Sequence, residues 1–520
     1  MRTSLTGRSE IRLDTHAYRV NKEALSALAR CQDLYQFGSE LAMVGEQNYG
    51  LDRMPAIVPV SRDVLFSRLS EVAEFLGERG RPEHCPPWVL GYLETCPKRP
   101  GLKDLLGVVE YPVMRPDGTV LQSPGYDADT ALFYSPPPDL RVPPVPDFPT
   151  DNDVTDARER LLDIVVDFPW ASGAHRAAWL ASLLTFFARY AYTRGGTPFF
   201  LIDKNVPGAG SGLLANITAK IPTGRVMPTQ GQPEDSKASG KLITSICIAG
   251  QVVLCLDNIA HPLGDDKLDL ALTSRLWSDR VLGVSKLVIV PHRCIWFGTG
   301  NNVQFNAKCD TSRRTLHIRM VSLEEKPEKR TGFKYSDLEG FVEANRGQLI
   351  CDCLTLLRAG FLGREKRAPL PRWGSFEDWS EWVRGAVVHA GLPDPYETHE
   401  ALSQVADSAL HSLRDFIRGW EELLAENAVE SCTVREALTW LAEDSEIRSE
   451  RPGHVLRFLP LRDALAETCR CVGHSLPDTK QVGYALRRFK GRVWAGKRLV
   501  PTDERGEDGN KWTVETIHSE

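Results

Sequence analysis

FFLIDKNVPGAGSGLLANITAK, residues 199–220, reads as a short apolar strand, a glycine-rich turn and a helix. In that layout successive backbone N–H groups and a helix N-terminus face one point, which is how proteins hold phosphate oxygens. The nucleotide-contacting candidates are Gly208, Ala209, Gly210, Ser211, Gly212 and Leu213. A full P-loop also needs Gly-Lys-Ser/Thr at the end of the turn. Two alignments are open here. Either Ser211 and Gly212 stand where the lysine and hydroxyl residue belong, or that pair is missing between Gly212 and Leu213. Both leave the loop without its lysine and without a secure hydroxyl for Mg²⁺. Lys204 precedes the turn and Lys220 lies about two helical turns beyond it, so neither is an obvious substitute.

Outward from this stretch, strand and helix alternate. QVVLCLDN (251–258) is an apolar run ending in Asp257, the form expected of an aspartate acting on Mg²⁺ beside ATP. Asn258 follows, where many such enzymes carry a catalytic glutamate. CIWFGTGNN (294–302) is another buried run ending in Asn301 and Asn302, and DTSRRTLHI (310–318) puts Arg313 and Arg314 just before a strand. An asparagine in the first place can orient an attacking water. An arginine in the second can reach a neighbouring subunit's nucleotide. Singly these are a turn, a strand-end cap and a solvated face; in this order they predict an α/β P-loop core. Continuous apolar strands bounded by Gly and Asn predict a buried parallel sheet, with the alternating TLHIRMV (315–321) at its edge. The strands ending at Asp203, Asp257 and Thr299 are expected side by side, with their polar ends on one edge.

The rest of the chain divides by composition. Residues 1–135 predict a mixed α/β region, with helices in VNKEALSALARC and in SRDVLFSRLSEVAEFLGERG, the latter capped by Ser61. Seven prolines between Pro136 and Pro149 predict a stiff extended linker, 136–150. The core is placed at 151–332, with a helix around DLALTSRLW, and a helical lid or bundle at 333–450. A last unit, 451–520, carries KQVGYALRRFKGRVWAGKRLV (480–500), with seven Lys/Arg and no acid. Helix, turn, helix and hairpin there is the winged-helix order. Lys480, Arg487, Arg488, Lys490 and Arg492 are its DNA-binding candidates.

The formal net charge is −6, so nucleic-acid contact must come from such a local surface. No apolar run reaches the ~18 residues of a membrane span, and MRTSLTGRSEIRLD lacks a secretory hydrophobic segment, so a cytoplasmic location is expected. The Cys351/Cys353 and Cys469/Cys471 pairs read as reduced thiols rather than zinc ligands.

The stretch from PGYDADTALFY through LIDKNVPGAGSGLLA, VVLCLDNIAHPLG, RLWSDRVLGVSKLVIVPHRCIWFGTGNN, RRTLHIRM and WSEWVRGAVVHAGLPDP resembles the replicative helicase and primase-associated ATPases of phages and mobile elements. These are related in arrangement to superfamily III and MCM-like AAA+ helicases. The resemblance implies an AAA+-type core in a hexameric ring, ATP and Mg²⁺ at subunit interfaces, DNA in the channel and a primase or replication protein as a partner. It implies a DNA-contacting hairpin at LGVSKLVIVPHR, with Lys286, His292 and Arg293 as candidates, and an interface role for Arg280. The departures at Ser211, Gly212 and Asn258 keep a second reading open: a pseudo-ATPase that binds DNA as a structural or regulatory replication factor. A transcriptional regulator is a weaker third, since no receiver-like domain is evident.

Overall fold

The run of strands and helices after Asp151 builds one five-stranded parallel sheet flanked by helices. The structure is a computed structural model that describes residues 2–3, 7–49, 52–280, 287–306, 309–324, 326–406, 408–450, 456–469, 476–490, 493–506 and 509–517. Helices α1 (Asp151–Asp163) and α2 (Gly173–Ala188) lead into β1 (Phe199–Lys204) and α3 (Ser211–Thr223). Then come β2 (Thr229–Gly231), α4 (Ser236–Ile248), β3 (Val253–Ile259) and α5 (Asp266–Thr273). A hairpin of β4 (Leu276–Arg280) and β5 (Leu287–Pro291) precedes β6 (Ile295–Asn301), β7 (Thr315–Met320) and the long α6 (Leu338–Leu362). The sheet order is β2-β3-β6-β1-β7. The three apolar runs lie side by side, as expected, with β6 inserted between the strand that enters the glycine turn and the strand that ends in Asp257.

Strands buried on both faces are apolar without alternation, and β1 and β6 are buried along nearly their whole length. One face packs Phe200, Ile202 and Phe297 against Trp179, Leu183 and Leu354. The other packs Leu201, Leu254 and Trp296 against Ile243, Ile246 and Leu268. β7 is the edge strand, with Leu316, Ile318 and Met320 fully buried and His317 and Arg319 half-buried. Its outer flank is covered by chain preceding α2: the Ala171 N–H donates to Arg319 O (3.0 Å) and the Val321 N–H to Pro169 O (2.7 Å).

Two helices end sooner than periodicity predicted. Ser61 does cap its helix, accepting from the Val64 N–H (3.3 Å), but that helix stops at Val72. Ala73–Leu76 pairs in parallel with Ser9–Arg12, because burying Ala73 and Phe75 needs the two-residue alternation of a strand. Likewise α5 stops at Thr273, and Leu276–Arg280 is strand rather than helix. Trp277 is thereby buried and donates through Nε1 to Thr244 Oγ1 (2.8 Å). The proline-rich stretch 136–149 has no regular element, and Leu140, Val142 and Val145 pack on the core.

The chain divides into two compact units, 1–402 and 403–520. The second contains α7 (Ser408–Glu426), α8 (Val434–Glu450), α9 (Leu459–Cys469) and α10 (Thr479–Phe489). These are followed by β8 (Val493–Trp494), β9 (Lys497–Gly506) and β10 (Gly509–Thr516), an antiparallel sheet in that order. Phe416, Trp420, Leu441, Leu461, Leu486 and Trp512 share its core. No helix among the described residues is long and apolar enough to cross a membrane.

Candidate nucleotide site

The carboxyl ends of β3, β6 and β1 lie side by side. Asp203 is opposite Gly300 and Lys204 opposite Asn301, while Leu256 is opposite Gly298. Two strand spacings of ~4.8 Å put the tip carrying Asp257 about 10 Å from the tip entering the glycine turn. In that turn Gly208 (φ 80°) and Gly210 (φ 92°) are left-handed. A Cβ on Gly208 would lie 2.8 Å from Glu328 Oε2, and one on Gly210 would lie 3.1 Å from the Phe168 ring. Gly210 is the residue before α3, and no side chain among the described residues caps that helix. By contrast Thr150, Asp235 and Asp265 cap α1, α4 and α5. The first N–H groups of α3 thus have no intrahelical partner and face the turn with the positive end of the helix dipole.

Register between β3 and β6 slips after Leu256 and resumes at Ile259, so Asp257 and Asn258 form a bulge. Bulges re-aim side chains at the ends of strands. Asn258 takes φ 55°, which asparagine tolerates better than most residues. Thr299, inside β6, links the two: its hydroxyl donates to Asp257 Oδ1 (2.5 Å) and accepts from the Asn258 N–H (3.2 Å). Asp257 is exposed at the strand end. Among the described residues no group of three His, Cys, Asp or Glu is arranged to hold a metal. Mg²⁺ at ATP sites is held by one or two carboxylates plus phosphate oxygens, and Asp257 fits that requirement.

Beside the turn runs a polar network. Asp203 is 3% exposed and accepts from His317 Nε2 (3.2 Å), the Val303 N–H (3.2 Å) and Arg319 Nη1. Burial alone would raise its carboxyl pKa, but the bond from His317 and the Arg319 charge leave it below its usual value. Arg319 Nη2 donates to Asn302 Oδ1 (2.5 Å). The Asn301 side-chain nitrogen donates to the carbonyls of Lys204 (2.8 Å) and Asn205 (3.0 Å). Lys204 Nζ in turn donates to Ser211 Oγ (2.8 Å), so this lysine, set aside on sequence position, does reach the turn.

Next to Gly208–Gly210 and Leu213 opens a cavity of about 660 Å³. Its walls include Ile164, Phe168, Val321, Phe333 and Tyr335, with Asp167, Glu328, Arg330 and Asp337 at its rim. The far wall is braced: Arg330 lies 5.0 Å over the Phe333 ring and donates to Asp167 O (2.6 Å), and Tyr335 donates to Asp163 Oδ2 (2.5 Å). The volume and mixed lining suit a nucleoside-sized ligand.

The other candidates fall elsewhere. Arg313 and Arg314 precede β7 at the opposite, amino end of the sheet. Arg313 is mostly exposed and lies 3.8 Å from Asp310, and Arg314 pairs with Asp269 (3.3 Å) and Asp310 (3.5 Å). Arg280 is exposed on β4. His292 and Arg293 lie at the buried base of the hairpin. Burial takes the His292 pKa down to about 4 and Arg293 down to about 10. His292 accepts from Trp296 Nε1 (3.2 Å), and Arg293 Nε and Nη1 have no hydrogen-bond partner among the described residues. Lys286 and Arg492 lie outside the described residues, as does the Arg488 side chain. In the second unit, Lys480, Tyr484 and Arg487 are exposed on α10 and Lys490 just after it, while Val482, Ala485, Leu486 and Phe489 are buried. Arg487 stacks 4.6 Å over the Tyr484 ring.

No family model and no curated protein matches the chain. Among solved structures it is similar to two apo structures described as the A form of the C-terminal region of NrS-1. One is 10% identical over 93% of this chain and 96% of that chain, with a TM-score of 0.42. The other, of region 305–718, is 12% identical over 92% and 96%, with a TM-score of 0.40. At these scores the likeness carries no argument, and the functional reading rests on the geometry.

Proposed function

We propose that the chain binds ATP with Mg²⁺ at the carboxyl edge of its sheet and acts on DNA, as a replicative helicase or replication-initiation ATPase of a phage or mobile element. The observation that carries this is convergence: an uncapped helix start flanked by two left-handed glycines, an exposed Asp257 two strands away, and a nucleoside-sized cavity on the other side of the turn. The base would enter the cavity beside Phe168 and Phe333, and the phosphates would lie on the N–H groups of α3. Asp257, aimed by Thr299, would hold Mg²⁺ directly or through water. Asn301 and Asn302 stand beside this point and can orient a water. Arg313, exposed at the far end of the sheet, is suited to a neighbouring copy in a ring. The exposed basic face of α10, with Tyr484 in its middle, suits phosphate contact and stacking.

The test is steady-state MgATP hydrolysis with and without DNA, on the intact chain and on Asp257→Ala. Slow basal turnover that rises with DNA and disappears in the variant is expected. Turnover surviving Asp257→Ala would place the chemistry elsewhere. Asn258 favours a second reading, since an amide cannot take a proton from water as a glutamate does. Tight MgATP binding with no turnover, and DNA binding retained, would make this a regulatory or structural DNA-binding factor.

A further inference from the structure

We infer that Lys204, delivered from the end of β1, supplies the cation that a phosphate loop ordinarily takes from a lysine at the start of its helix. The inference rests on the proposal that nucleotide phosphates occupy the Gly208–Gly212 turn. Ser211 is the first residue of α3 and stands where one alignment puts the missing lysine. Lys204 Nζ lies 2.8 Å from its hydroxyl, so the charge arrives at the usual place on a different branch of the chain.

The charge is also unspent. Among the described residues no carboxylate lies within 4 Å of Lys204 Nζ. Arg319, the other cation at this edge, is engaged by Asp203, and Lys220 pairs with Glu343 (2.9 Å). The base of the side chain is fixed, because the Lys204 carbonyl accepts from the Asn302 N–H (3.0 Å) and the Asn301 side chain (2.8 Å). The bond to Ser211 leaves two ammonium protons and the serine hydroxyl proton free for phosphate oxygens. Charge-assisted donors of this kind are the strong ones.

The experiment compares the intact chain with Lys204→Met, Ser211→Ala and the double change Lys204→Met/Ser211→Lys, which moves the lysine to its ordinary position. Binding of tripolyphosphate with Mg²⁺ probes the turn alone, and MgATP turnover probes the reaction. Lys204→Met should weaken tripolyphosphate binding by at least tenfold and lower turnover by ~10²–10³-fold, the usual loss for one preorganised donor. The double change should recover part of both. Unaltered tripolyphosphate binding in Lys204→Met, with or without a change in melting temperature, overturns the inference. So does failure of the intact chain to bind the probe. The two proposals part on the remaining pattern. If Lys204→Met weakens tripolyphosphate binding but the intact chain shows no MgATP turnover, the turn is assigned correctly and the ATPase reading fails.

Discussion

Glu328 is an unexpected neighbour for a phosphate turn, because its carboxylate lies against Gly208. Two unit charges 4 Å apart in water repel by ~1 kcal/mol, so Glu328→Gln should tighten MgATP binding about fivefold. The gain should shrink as salt rises, and titration at two ionic strengths checks both. At Asn258 the expectation is mixed. Glutamate there would restore a base beside Asp257 and raise turnover. It would also occupy a left-handed backbone, which costs on the order of 1–2 kcal/mol. Turnover should therefore rise while the melting temperature falls. At this scale the sequence was legible where a polar residue ends an apolar run, as at Asp257 and Asn301. It was not legible where a contact joins separate strands. Nothing in QVVLCLDN says that Thr299, 42 residues later, will hold its aspartate. Lys204 looked too early in the chain because reach along a strand end is set by folding, not by spacing.

Among the elements, α10 shows its role most plainly. Asp478 and Gln481 form a capping box at its start, and its apolar side packs into the second unit. The opposite side presents Lys480, Tyr484 and Arg487, with Lys490 just after the helix. Changing Lys480, Arg487 and Lys490 together to Ala should weaken DNA binding and flatten its salt dependence by ~0.9 in log–log slope per lost duplex phosphate contact. Equal slopes for the intact chain and the triple variant would make this face merely solvated. The clear 3.6-residue stripe of this helix made it readable from the sequence, and α2, buried nearly all round, was readable from the length of its apolar run. α4 went unread: SKASGKLITSICI mixes Ser, Gly and β-branched residues, and what holds it is packing of Ile243 and Ile246 under the sheet. Ala73–Leu76 and Leu276–Arg280 misled for the converse reason. Each continues a helix-like stretch, and a strand partner draws it out of the helix: Ser9–Arg12 far back in the sequence for the first, the other arm of a hairpin for the second.

For the whole molecule, acid should be destabilising well above carboxylate pH. His175, His292 and His399 each have a pKa lowered by burial from 6.5 to about 4. A base held neutral by the fold contributes its full stability above its unfolded pKa and loses it as pH falls through the interval down to the folded value. For His292, which is 2% exposed, the loss between pH 6.5 and 4 is about 3 kcal/mol. Urea midpoints taken across that interval should fall steadily, and His292→Gln should flatten the trend. The scale at which sequence reading was least informative is the grouping of helices. α7 and α8 read as part of a lid, yet Phe416, Trp420 and Leu441 are buried with the residues of α9 and α10, because an apolar stripe does not name its partner. The covering of β7 bears on assembly. His399 Nδ1 meets Thr315 O (3.2 Å), His175 Nδ1 meets His317 O (2.9 Å), Ala171 bonds to Arg319 O, and Pro169 O takes the Val321 N–H. An outermost strand normally offers a template for strand addition, and here that template is largely occupied by side chains and by the chain before α2. A second copy packing on this flank finds much of the described main chain already engaged, so recognition there falls mainly to side chains, which can be exchanged between relatives without rebuilding the strand.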